Sequence, residues 1–387
     1  MVAFIFIFFL IGFTVIRDTT AIGLRPFGFL NDLFAQAVGT IDNTSSQDFT
    51  NYLEKKSAVI DSYGRCDVIN PDSRSKPIQR LADSGLGSGK EISSKAGINQ
   101  GDASDVNGLI DSIENQGLDM SYVMVLTNAG GVSTAVPFIQ NANENGYIPI
   151  VRLCYDGDTN CGFDLSGSAQ PIIDFYNSIN EQLAGSDDQY IAVLGPNEPG
   201  TGREMAGFNV GDYGTLVTRA NQAAEALQDF RVSNGGNMYL APAIFNLTNR
   251  QMDDTKEYLN PTGHEAINPD LFDYILGNTY ELQQGTAVNW YEESGAKQFV
   301  LNNPDLLTVI TEFGYFPGAN SNVAALKESY KTLCEDDTVD GIMFFRPNYT
   351  VFPAGAPRQE PPIPVSDIRQ MINSCDKKPT KSLQLNS

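Results

Sequence analysis

The chain has 387 residues, of which 41% are hydrophobic and 19% charged, enough core-forming material to exclude an intrinsically disordered protein. Its 47 acidic against 25 basic side chains give a formal net charge of -22, which repels phosphate backbones and anionic headgroups and argues against nucleic acid as a partner. The length suits one barrel-sized domain of roughly 250 residues with extensions.

From the N-terminus, Val2 to Ile16 form an unbroken apolar run, shorter than the roughly 20 residues that span a bilayer comfortably. That length suits a signal-peptide core or a slightly short anchor, and residues 1–20 are expected to be one or the other, although no Lys or Arg precedes the run and no clear small-x-small cleavage site follows it. This implies an extracellular or cell-surface protein whose link to a membrane runs through that segment. Residues 21–80 are polar and turn-rich and read as a spacer with some ordered pieces. Residues 81–376 carry a regular alternation of elements, and 377–387 read as a disordered tail.

Within the regular part, apolar residues recur at three- and four-residue steps, which predicts amphipathic helices. Val106, Leu109, Ile110 and Ile113 form the first such stripe, and Ile172, Phe175, Tyr176, Ile179 and Leu183 the next. Tyr213, Leu216, Val217, Ala220, Ala224 and Leu227 follow, then Val323, Leu326, Tyr330 and Leu333, then Ile368, Met371, Ile372 and Cys375. Between the helices lie short, continuously apolar runs: "YVMVLTNAG", "IPIVRLCYDG", "YIAVLGPNEP", "MYLAPAIFN", "LTVITEFGYFP" and "GIMFFRPNY". Strands buried on both faces have this composition. The weaker "AGINQGD" and "GNTYEL" bring the candidates to eight, each followed by a helix-sized segment. That count and alternation predict an α/β fold of the (β/α)8 barrel type.

Among five cysteines, Cys154 and Cys161 bracket "YDGDTN" at a spacing that could staple a short loop. Cys334 and Cys375 each fall on a helical apolar stripe, bridged or simply packed, and Cys66 is left over.

Two of the strand candidates end in an acid: "VLGPNEPG" carries Glu198 and "VITEFGYFP" carries Glu312. On a barrel these end the fourth and seventh strands and face the mouth where barrel enzymes place their chemistry. Pro196 and Pro199 stiffen the turn around the first of them. Two carboxyls on opposite walls of one cleft suit glycoside cleavage, in which one must give a proton while the other stays ionised.

In "GPNEP" and "ITEFG", at the ends of the fourth and seventh strands, the chain resembles the clan A glycoside hydrolases, retaining enzymes on a (β/α)8 barrel. The resemblance spans roughly residues 95–376 in strand order. It implies Glu198 as general acid/base, Glu312 as nucleophile, and Asn197 as hydrogen-bond partner of the sugar hydroxyl beside the reacting carbon. It also implies that Tyr280, in "GNTYEL", bonds to the nucleophile, and that no cofactor is needed. A retaining enzyme needs its two carboxyls about 5–5.5 Å apart. Two family features are absent: an arginine ending the second strand, where this chain reads "LTNAG", and a tryptophan ending the eighth, where it reads "FFRPNY". Arg152 or Arg346 would then supply the positive charge beside Glu312, and Phe345 the aromatic floor. The single tryptophan, Trp290, lies in a helix-like segment and reads as core.

The expected activity is hydrolysis of β-glycosidic bonds in a polysaccharide or oligosaccharide by double displacement, by a monomer with a carbohydrate partner. A catalytically inactive barrel serving as a surface carbohydrate-binding or adhesion module is the alternative, as is a transglycosylase. Other chemistry finds less support. His264 is the only histidine, with no nucleophile elbow to serve and too few companions for a usual zinc site. "DGDTNCGFD" has Cys161 where a calcium loop needs glycine, and "SGLGSGKE" has the wrong spacing for a phosphate loop. Sequons occur at Asn43, Asn246 and Asn348.

Overall fold

The computed structural model describes residues 94–99, 106–154, 163, 168–199, 212–233, 238–249, 252–316, 322–345 and 362–375. The expected N-terminal apolar segment, spacer and tail lie outside these residues, as do Cys66, Cys161, Arg346, the "DGDTN" and glycine-rich stretches, Asn43 and Asn348.

The short apolar runs form strands and the striped segments form helices. In chain order they are β1 (Ala96–Asn99), α1 (Val106–Gln116), β2 (Tyr122–Thr127), α2 (Val132–Glu144), β3 (Ile148–Leu153), α3 (Gln170–Gln182), β4 (Tyr190–Val193) and α4 (Tyr213–Ser233). There follow β5 (Met238–Ala241), β6 (Ile244–Asn246), α5 (Met252–Leu259), a 3-10 turn at Pro269–Leu271, β7 (Tyr274–Glu281), α6 (Thr286–Glu293) and α7 (Ala296–Asn302). The last are β8 (Leu307–Tyr315), α8 (Val323–Glu335), β9 (Gly341–Phe345) and α9 (Val365–Ser374). Among the described residues no helix is long and apolar enough to cross a membrane.

All strand pairings are parallel, in the order β5-β4-β3-β2-β1-β9-β8-β7-β6. β5 pairs with β4 and β6 with β7, yet only Pro242 and Ala243 separate these two end strands. The nine segments are thus an eight-stranded barrel whose fifth strand is split. Proline has no N–H to give a ladder, and the regular pairing is interrupted at Pro242.

Alternation along the strands sorts the core into two layers. Tyr122, Met124, Ile148, Ile150, Ile191, Val193, Tyr274, Leu276, Leu307, Val309 and Met343 meet in one cluster inside the barrel. Val123, Val125, Val151, Leu153, Ala192, Ile275 and Ile310 belong to the other, packed with the helical stripes. Only small residues fit where the inner layer is tight: a side chain at Gly97 would come within 2.7 Å of Tyr122 Cβ.

The Cys334 and Cys375 pair is a disulfide joining α8 to the end of α9, across a sequence separation of 41. Cys154 is disulfide-bonded as well.

Candidate active site

The site is the next layer of the barrel interior. Continuing each inner row two residues toward the strand's C-terminal end carries Ile148 and Ile150 to Arg152, Tyr274 and Leu276 to Asn278 and Tyr280, Met343 to Phe345, and Gly97 to Asn99. Asn99 and Asn278 are both 0% exposed, so polar side chains here close the apolar core from above.

Glu312 reaches this layer by a different route. Simple alternation from Leu307 and Val309 would turn Thr311 inward and Glu312 outward. Instead Gly277 pairs with Ile310 while Asn278 pairs with Glu312, and the pairing with β9 shifts between Ile310 and Phe313 as well. β8 thus holds one residue more than either neighbour, a β-bulge that re-aims the side chain after it. The bulged Thr311 is tied on three sides. Its hydroxyl donates to Asn278 Oδ1 at 2.8 Å and lies 3.4 Å from Gly277 O, and its carbonyl accepts from Asn99 Nδ2 at 3.0 Å.

Once inside, Glu312 is buried. Tyr280 donates its phenolic hydrogen to Oε2, and Arg152 Nη1 stands 3.6 Å from Oε1, with both side chains under a tenth exposed. Burial, followed by the charges of Glu312 and Glu198 and by the Glu312 hydrogen bond, raises the Tyr280 phenol well above its ordinary range, with Arg152 opposing. Tyr280 is therefore a hydrogen-bond donor throughout the neutral range. Arg152, on the third strand, brings the positive charge expected beside Glu312; Arg346 lies outside the described residues.

Glu198 is held differently from expectation. Its strand, β4, stops at Val193, and Glu198 sits five residues on, with φ of 53°, the left-handed region that costs a side-chain-bearing residue energy. The fifth strand, beyond its break, fixes it. Ile244 O accepts from Glu198 N at 2.7 Å, and Asn197 bridges Ile244 in parallel fashion. Pro196 takes part through its carbonyl, which accepts from Ile244 N at 3.3 Å.

The two acids are both held from one strand, β7. Asn278 Nδ2 donates to Glu198 Oε1 and to Asn197 Oδ1, each at 3.1 Å, while Tyr280, two residues further along β7, holds Glu312. Glu198 and Asn197 are half-buried. Phe345 lies edge-on to Tyr280 with ring centroids 6.3 Å apart, and Phe316 at 6.2 Å. Trp290 packs behind Phe316 and is 6% exposed, a core residue. The layer thus brings together all the expected site residues that are described: Asn197, Glu198, Arg152, Tyr280, Glu312 and Phe345. It adds Asn278, Thr311 and Asn99, which the motifs do not name. The signal for Asn278 was its place two residues before Tyr280 on the same strand face.

No family model matches the sequence, and no curated protein matches it. Solved structures do match the fold. An endo-β-1,4-mannanase from Cellulomonas fimi, described among the glycoside hydrolase family 26 mannanases, superposes with TM-score 0.50 at 14% identity, covering 81% of this chain and 80% of that one. The catalytic domain of an endo-β-1,4-mannanase from Bacillus sp. JAMB-750 gives TM-score 0.50 at 14% identity, over 74% of this chain and 83% of its own. A double mutant of the Cellulomonas fimi enzyme gives 0.50 at 15% identity, over 79% and 76%. The barrel architecture is common to all of them and to this chain.

Proposed function

We propose that the chain is a clan A β-glycosidase that cleaves β-glycosidic bonds of an oligosaccharide or polysaccharide with retention. The observation that carries this reading is the convergence of Glu198 and Glu312 on consecutive inward positions of one strand, through Asn278 and Tyr280. The fold it shares with the mannanases supports it, and so does the asymmetry of the two carboxyls.

Glu312, buried between the Tyr280 hydroxyl and the Arg152 guanidinium, is held as an anion with a fixed direction and acts as the nucleophile. It attacks the anomeric carbon while Glu198 gives its proton to the departing glycosidic oxygen. The resulting glycosyl ester is then opened by water, which loses its proton to Glu198 as the bond to Glu312 breaks. Asn197, beside Glu198, meets the hydroxyl next to the reacting carbon. Phe345 and Phe316 give the mouth an apolar wall against which sugar C–H faces can lie.

The test is a panel of aryl β-glycosides, including β-mannobiosides and β-cellobiosides, with wild type, Glu198→Ala and Glu312→Ala. The expectation is turnover of at least one by wild type and loss on the order of 10⁴-fold or more in Glu312→Ala. A 2-deoxy-2-fluoro glycoside should label Glu312 in a peptide map. If Glu312→Ala keeps the wild-type rate, the nucleophile is elsewhere. If glycans bind without any turnover, the chain is a carbohydrate-binding barrel instead.

A further inference from the structure

Beyond the two acids, one buried amide joins three residues of the site. Asn278 is 0% exposed, so it is shut away from substrate. Its orientation is set from below, because Thr311 Oγ1 donates to its Oδ1 at 2.8 Å. The amide nitrogen therefore faces the other way, toward Asn197 Oδ1 and Glu198 Oε1, both at 3.1 Å. An amide NH2 donates and cannot accept. The Glu198 oxygen it meets must accept, and so must the Asn197 oxygen.

We infer that Asn278 is a positioning residue that sets the proton's place on Glu198 and the direction of the Asn197 amide together, an inference that rests on the acid/base role proposed for Glu198. With Oε1 accepting from Asn278, the protonated acid carries its hydrogen on Oε2, and it is Oε2 that delivers to the leaving oxygen. With Asn197 Oδ1 accepting from the same NH2, Asn197 meets a sugar hydroxyl as a donor through Nδ2. Thr311 supports both settings indirectly, so the bulge that aims Glu312 also orients the opposite acid.

General acid catalysis matters in proportion to how poor the leaving group is. The experiment compares kcat/KM for phenyl and 2,4-dinitrophenyl β-mannobioside, with the β-cellobiosides beside them, in wild type, Asn278→Ala, Asn278→Asp and Thr311→Val. Glu198→Ala is the control. The expected result is a loss at least about tenfold greater on the phenyl than on the dinitrophenyl substrate for both Asn278 variants. Asn278→Asp, which keeps the shape but swaps donor for acceptor, should show the larger gap. Equal losses on the two substrates, or none, would mean that Asn278 only supports the fold and would overturn the inference. If Asn278→Ala does not fold, Asn278→Asp and Thr311→Val decide it by the same ratio. The control separates the two failures. A leaving-group-dependent loss in Glu198→Ala alone leaves the acid in place and removes Asn278, whereas no such dependence in Glu198→Ala overturns the acid and this inference together.

Discussion

The backbone at Glu198 offers a measurement that needs no substrate. Its φ of 53° puts Cβ close to the following carbonyl, at a cost of roughly 1–2 kcal/mol for any residue with a side chain. Glycine escapes that cost but loses more entropy on folding, roughly 0.4–1 kcal/mol relative to alanine. Replacing Glu198 by Ala or by Gly removes the same carboxyl and the same bond from Asn278, so those losses cancel when the two variants are compared. The difference left is the backbone term alone, and Glu198→Gly should be more stable than Glu198→Ala by about 1 kcal/mol. At ordinary sequence positions the order is reversed, which makes the sign the decisive quantity. Urea denaturation of the two variants, compared at equal slope, should show the glycine variant with the higher midpoint; the thermal midpoint should rise by ~2 °C. An alanine variant as stable as the glycine variant, or more so, would refute the left-handed turn and with it the idea that the fifth strand holds the acid in a strained position.

Other outcomes follow from the same contacts. Arg152→Met leaves the buried Glu312 charge without its cation and should cost about 3–5 kcal/mol in denaturant, most of which Glu312→Gln in the same chain should restore. Replacing both Cys334 and Cys375 with serine opens a loop of 41 residues and should cost up to ~4 kcal/mol on the chain-entropy account, with dithiothreitol costing the wild type more than the double variant by that amount. Burial raises the Glu281 carboxyl above its ordinary value against the opposing bonds from Ser329 and Ala287. The folded state therefore binds that proton more tightly than the unfolded one. The contribution is fully present below the unfolded value of about 4.3 and is lost as pH rises through the higher folded value. Stability of wild type relative to Glu281→Gln should thus fall across that window, and a flat difference from acid to neutral pH would contradict it.

Most of the barrel was legible because its strands are buried on both faces, so runs such as "YVMVL" and "IPIV" are apolar without interruption. Legibility fell where the strands carry the candidate site. "GNTYEL" reads weakly, yet it is the upper part of the eight-residue β7. Asn278 and Tyr280 stand there in positions that an ordinary barrel would fill with aliphatic residues. "MYLAPAIFN" reads as one strand, and one it is in the barrel, but Pro242 interrupts its hydrogen-bonding ladder. The pair of glutamates was visible through the residues around them. How each is aimed was not, because a bulge and a left-handed turn depend on which backbone groups lie across the sheet. Asn278 was hidden for a similar reason: it has meaning only once Thr311 and Glu198 are seen on either side of it.

The extra residue in β8 also bears on how the strand finds its partners. Beyond Thr311 the outward positions are aromatic, with Phe313 against Tyr330 and Phe344. A misaligned chain that let this stretch run without the insertion would swing Glu312 out of the mouth and into that greasy layer, far from Arg152, at a penalty of several kcal/mol for an uncompensated buried charge. The carboxylate thereby disfavours the slipped alignment, so the charge that the bulge brings inward also penalises losing the bulge.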